Sequence, residues 1–196
     1  MMLSRLARPP GRPRSAQAHQ AILDAAVALF IEEGLEGMSV EAVAARAGTG
    51  KTTIYRRWPS KEDLVIDAIA QVLSTAPATD TGSVREDLLQ LGRELHGLMS
   101  SSATGGVFPR MAAEVARRSR LGRLYGQRVI EPRRAALAGA LLRGIERGEL
   151  PKDTDVELAI DLLVGGLLLR RLTGRLRRSD PTPERAVDLL LAGLAR

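Results

Sequence analysis

The sequence predicts an all-α protein, with an N-terminal three-helix helix-turn-helix module followed by a larger helical body. Three observations lead there. Apolar residues recur at spacings of three and four, as in Ile22, Ala25, Ala26, Leu29 and Phe30, which stacks them on one helix face. No stretch sustains the period-two alternation with β-branched residues that a half-buried strand needs, so no sheet is expected. Residues 42–64, AVAARAGTGKTTIYRRWPSKEDL, read as a short helix, a glycine turn and a second short helix dense in DNA-binding groups.

The first 15 residues carry Arg5, Arg8, Arg12 and Arg14 among Pro9, Pro10, Gly11 and Pro13, too polar and too broken by proline to pack. They read as a disordered basic arm. Either this is a solvated tail, or Arg12 and Arg14 lie along a DNA minor groove. A first helix spans Gln17 to Glu33 and stops at Gly34, a residue that tolerates positive φ. Ser39 caps the second helix, with Glu41 complementing its dipole and Val40, Val43, Ala44 and Ala47 as its buried stripe. Gly48 ends it. The third helix starts near Gly50 and ends before Pro59; Ser60 then caps a fourth, Lys61 to about Leu73, with Leu64, Val65, Ala68, Ile69 and Val72 facing a core.

Ser74 to Ser83 is a loop rich in Thr, Ala, Pro and Gly. Helical patterns follow at roughly 84–101, 107–118, 121–147, 155–173 and 183–195. Pro132 falls inside the third of these and should kink or break it. The domain reading is therefore a basic arm over 1–15, a DNA-binding domain over 16–60 and a helical body over 61–196, with 61–74 as the connecting helix.

On the third helix Ile54 and Trp58 point to one side and anchor it on Phe30 and Val43. Lys51, Thr52, Tyr55 and Arg56 occupy the other stripes. Arg56 and Lys51 suit guanine O6 and N7, and Thr52 a thymine methyl. Thr53, Tyr55 and Lys61 suit phosphate oxygens, which fix register without reading sequence. A rival motif overlaps here: Ala45 to Thr52, ARAGTGKT, fits a relaxed phosphate-binding loop. Such a loop needs a preceding strand, and the residues before it read as helix.

Composition supports this reading weakly. The formal net charge is +6, which fits an anionic partner. Yet only Lys51, Lys61 and Lys152 are lysines, and an arginine bias alongside abundant Ala, Gly and Leu equally reflects a GC-rich genome. Arginines also cluster far from the third helix, at Arg117, Arg118, Arg120 and Arg123. The absence of cysteine removes disulfides, thiolate metal sites and cysteine nucleophiles. No apolar run reaches the roughly 18 residues of a membrane span; the run at Leu162 to Leu169 is broken by Gly165 and Gly166. With His19 and His96 as the only histidines, and acids that read as caps or helix surface, no catalytic set, metal site or cofactor is expected. A cytoplasmic, nucleoid-associated protein follows.

The ordered combination ILDAAVALFIEEG, SVEAVAARAG and KTTIYRRWPSKEDL between Ala21 and Leu64 resembles the tetracycline-repressor (TetR) family of bacterial regulators. The Pro59, Ser60, Lys61 step after the third helix is especially specific. The resemblance implies phosphate contacts from Tyr55 and Lys61. It departs at Thr49, where an apolar residue is common, and at Gly50, where serine often caps; glycine is an acceptable cap.

The resemblance also implies that the body dimerises and holds an effector pocket. The residues themselves leave two readings open for each. The last two helices offer Leu158, Leu162, Gly166, Leu190 and Leu194 to a partner's pair, or bury them in an internal core. Leu91, Leu95, His96, Leu98, Met99, Phe108, Met111, Tyr125 and Val129 line a pocket or simply pack. The function expected is that of a homodimeric repressor of a palindromic operator in double-stranded DNA, released by a small-molecule effector. Alternatives are an activator, a ligand-independent regulator, or a nucleotide-binding enzyme built on the ARAGTGKT segment.

Overall fold

The computed structural model describes residues 14–74 and 80–194. Every regular element among them is helical. The chain divides into two compact units, the first ending at Ala68 and the second starting at Ile69. The division thus falls eight residues beyond the expected edge of the DNA-binding domain, inside the fourth helix.

The first unit contains α1 (Arg14–Gly37), α2 (Val40–Arg46), α3 (Lys51–Tyr55) and the start of α4 (Lys61–Val72). Helix begins at Arg14, so the last two residues of the expected arm are helical, while Arg12 lies outside the described residues. The helical path of α1 breaks at Gly34, whose φ is 77°, a left-handed conformation open to glycine. Ile22, Leu23, Ala26, Leu29 and Phe30 of α1 are buried with Val40 and Val43 of α2, Ile54 and Trp58 of the α3 segment, and Leu64 and Val65 of α4. Truncating Phe30 at such a site costs about 3–5 kcal/mol.

Polar bonds fix the helices of this unit. The Arg46 guanidinium donates to both oxygens of Glu32, at 3.0 and 2.9 Å, tying α2 to α1. Ser39 Oγ accepts from the Ala42 N–H at 3.1 Å and so caps α2. His19 lies on α1 with its ring stacked on Trp58, centroids 5.3 Å apart. Arg57 donates to His19 Nδ1 at 3.0 Å, and the indole N–H of Trp58 donates to Asp67 at 2.8 Å. Trp58 is thereby held at both its face and its polar edge.

The second unit comprises the end of α4 with α5 (Val84–Ser100), α6 (Val107–Ala116), α7 (Arg120–Tyr125), α8 (Glu131–Glu146), α9 (Val156–Leu172) and α10 (Thr182–Leu194). Helices α5, α8, α9 and α10 pack on one another around Leu88, Leu137, Leu141, Ile160, Leu163 and Val187. Gly144 of α8 lets that helix close on α5: a Cβ there would lie 2.8 Å from the Val84 side chain.

The stretch expected as one helix over 121–147 is resolved into α7, a π turn at Gly126–Ile130, and α8. Pro132 explains the widening. Its ring would clash with the carbonyl four residues back and it supplies no N–H. The Glu131 N–H accordingly reaches the Gly126 carbonyl, five residues back.

One buried carboxylate organises the start of α5. Asp87 accepts from the Thr81 N–H at 2.8 Å, the Thr81 hydroxyl at 2.6 Å and Arg143 at 3.1 Å. Burial pushes its pKa up, but these bonds outweigh it and hold the carboxyl below its ordinary value.

Candidate nucleic-acid interface and apolar cavity

The turn before α3 is built by α2's own C-terminus. Gly48, at φ 63°, donates its N–H to the Ala45 carbonyl at 3.3 Å, and Thr49 donates to Ala44 at 2.9 Å. These paired bonds form a Schellman ending that satisfies the last carbonyls of α2. They also dispose of the phosphate-loop reading of Ala45–Thr52. Helix precedes the segment, and these two backbone N–H groups face helix carbonyls instead of a phosphate cradle.

Gly50 then enters α3 with extended backbone, φ −86° and ψ 143°, and no side-chain cap bond. Ile54 is fully buried and Trp58 nearly so, whereas Tyr55 is 49% exposed. Lys51, Thr52 and Arg56 are exposed as well, with Thr53 and Lys61 half-buried at the edges. A short helix is thus held by two apolar anchors and presents cationic and hydroxyl groups to solvent, the chemistry that base edges and phosphates require. Lys51 Nζ lies 3.6 Å from Glu41 Oε1 on α2, a neighbour that the α3 sequence alone did not reveal. Arg14 occupies the first position of α1.

The second unit encloses a cavity of about 450 Å³, within the size range of small-molecule sites. Its walls come from α5 (Leu91, Leu95, Met99), α6 (Phe108), the α7 and π-turn segment (Tyr125, Val129), α8 and α9 (Val164, Leu168). Six of the residues singled out from the sequence line it: Leu91, Leu95, Met99, Phe108, Tyr125 and Val129. His96 and Met111 do not. The His96 imidazole Nε2 lies 3.1 Å from the Arg177 carbonyl, an internal tie, and Met111 is completely buried in packing. Leu98 is also absent from the lining.

The cavity's polar members went unread in the sequence. Glu94, Arg133 and Arg134 all line it. Arg133 donates to the Val129 carbonyl at 3.2 Å and to the Leu73 carbonyl just beyond α4. Burial pushes the Arg133 pKa down from its ordinary value, partly countered by Tyr125 and Glu94. The Tyr125 phenol, buried in turn, is pushed up to about 12. A carboxylate on the Leu91 and Leu95 stripe was the available sequence signal, since an acid on an apolar helix face calls for a partner.

Along α9, Leu158, Leu162, Leu169 and Leu172 are exposed, as is Leu189 of α10, and Gly165 and Gly166 share that exposure. Leu190 and Leu194, open in the sequence to a partner or to an internal core, pack partly buried against the core. On α10 it is Leu189, 74% exposed, that faces outward.

Two family models match the chain: "Bacterial regulatory proteins, tetR family" over residues 22–68, and "Tetracyclin repressor-like, C-terminal domain" over residues 78–190. The chain belongs to the TetR family. It is 36% identical to the HTH-type transcriptional regulator YdeS of Bacillus subtilis, over 83% of this chain and 82% of that protein. It is 30% identical to the DNA-binding transcriptional repressor TetR of Mycobacteroides abscessus, over 95% and 96% of the two chains. The solved structure of the TetR-family transcription regulator SCO0332 superposes with a TM-score of 0.67 at 30% identity, covering 90% of this chain and 98% of that one. This TetR-family chain is a DNA-binding transcriptional regulator of the helix-turn-helix type, a family of regulators rather than of enzymes. No helix among the described residues is long and apolar enough to cross a membrane.

Proposed function

We propose that the protein is a homodimeric repressor that holds a palindromic operator through α3 and releases it when a small apolar molecule fills the second unit's cavity. The observation that carries the DNA half is the division of α3, with Ile54 and Trp58 buried and Lys51, Thr52, Tyr55 and Arg56 exposed. In this reading Arg56 and Lys51 read bases, Thr52 contacts a thymine methyl, and Thr53, Tyr55 and Lys61 hold phosphates. Arg12, and Arg14 at the first position of α1, add contacts to the minor groove. Its domains are the DNA-binding helices up to the start of α4 and the helical body beyond.

Dimerisation supplies what one short helix lacks. A single α3 specifies few base pairs, whereas two related by a two-fold axis read half-sites about one DNA turn apart. The exposed Leu158, Leu162, Gly166, Leu169, Leu172 and Leu189 face is the surface we assign to the partner, with Leu190 and Leu194 backing it from the core side. Repression accords with the repressor named for the Mycobacteroides abscessus relative. The site of action is the cytoplasm, at the nucleoid.

Release requires that effector binding favour a state in which α3 is misplaced, because equal affinity for both states shifts nothing. Arg133 supports a route. It lines the cavity and bonds the carbonyl of Leu73, while α4 begins at Lys61 in the first unit. Footprinting the protein on DNA around its own gene, with and without added ligand, tests the reading. A protected palindrome lost on ligand addition is expected; no preferred site would refute it, and a site insensitive to every ligand would leave a ligand-independent regulator.

A further inference from the structure

The cavity walls are hydrocarbon apart from a few polar groups, and those groups are not equivalent. Arg134 is engaged by Asp161 and Glu157. Arg133 is engaged by two backbone carbonyls. Glu94 differs: it lines the cavity, and its Oε2 is buried with no hydrogen-bond partner among the described residues. A carboxylate oxygen accepts hydrogen bonds, so the missing partner is a donor. Leaving a buried acceptor unsatisfied carries the full desolvation cost of that group.

Charge narrows the ligand further. Glu94 favours the charged form of Arg133, so the two oppose one another in sign within the same wall, and Arg134 has its own two carboxylates. An anionic ligand would therefore enter an apolar space with no free counter-charge, and a cationic one would meet the like charge of Arg133 beside Glu94. We infer that the cavity takes an uncharged, largely apolar molecule bearing an N–H or O–H that donates to Glu94. This rests on the effector-cavity reading above and names the chemistry of its occupant. The hydrocarbon of Leu91, Leu95, Met99 and Phe108 supplies affinity without direction, and Glu94 supplies orientation.

Calorimetry on the full chain with four matched probes tests this: naphthol, methoxynaphthalene, naphthoate and naphthylmethylammonium. Naphthol should bind about tenfold or more tightly than methoxynaphthalene, the range of one hydrogen bond to a charged group. Both ions should bind more weakly than naphthol. Glu94→Leu should bring naphthol and methoxynaphthalene to nearly equal affinity, and Leu95→Trp, which fills the cavity, should abolish binding of both. The wild-type probe ratio decides the matter even if a variant fails to fold. Methoxynaphthalene binding as well as naphthol, or either ion binding best, would overturn the donor assignment while leaving the cavity as a ligand site. Binding that survives Leu95→Trp, or no binding of any probe, would overturn the cavity reading itself.

Discussion

The two sites are built in opposite ways. The exposed groups of the α3 segment that we assign to DNA come from the eleven consecutive positions 51–61, on one helix and its flanking turn. The cavity draws its wall from five helical segments whose contributing residues run from Leu91 to Leu168. A contiguous surface site has its geometry written in local periodicity, because i and i+4 are neighbours on any helix. A cavity exists only once distant helices have packed, and whether a leucine lines it or fills the core is decided by that packing. In the first unit, the buried anchor Ile54 and the exposed Tyr55 are separate side chains one position apart. In the second, the same kind of residue serves either purpose.

The sharpest way to break this contrast is to substitute neighbours. Ile54→Ala removes a fully buried anchor and should cost about 2–5 kcal/mol, read as a shift in the denaturant midpoint together with loss of DNA binding. Tyr55→Ala, one position on, should leave the midpoint nearly unchanged while weakening binding to every DNA; equal destabilisation by both would refute the division of α3. The second unit offers a matching pair. Leu163→Ala, at a site 3% exposed, should also destabilise by about 2–5 kcal/mol. Leu162→Asp, at a site 61% exposed, should preserve the fold and sediment as a monomer, where the proposed wild-type species is a dimer.

Smaller effects separate the contacts themselves. Lys61→Ala should weaken DNA binding uniformly across sequences and reduce the salt slope by about one. A change in sequence preference instead would move Lys61 from phosphate to base contact. In the cavity, Tyr125 has a folded pKa raised to about 12 from the usual 10. The sign follows from that order: its contribution is present below pH 10 and is lost as pH climbs through 12. Alkaline denaturation of Tyr125→Phe should lack that decline, and an unchanged profile would place the phenol in water.

Much of the fold was legible because glycine, proline and serine punctuate it. Gly34, Ser39, Gly48 and Ser83 mark boundaries within a residue or two of those observed. The π turn was not legible. Pro132 signalled a disturbance, but whether the helix breaks or widens depends on neighbouring packing. Exposure on α9 and α10 was half legible: leucine spacing left Leu190 open to a partner or to the core, because helical period alone does not say which face meets the core. His96 misled for a physical reason. A histidine on an apolar helix needs a partner, and a backbone carbonyl across the unit serves as well as any ligand.

In the proposed reading, the α3 segment reads DNA with Arg56 among its base-reading groups. Selection of binding sites from a random duplex pool by the wild-type protein and by Arg56→Ala tests it most directly. The wild type should select a palindrome with half-sites about one turn apart. The variant should select the same palindrome relaxed at one base pair per half-site, with about 1–3 kcal/mol lost there. Recovery of unrelated sequences by the wild type, or an identical preference from both proteins, would contradict it.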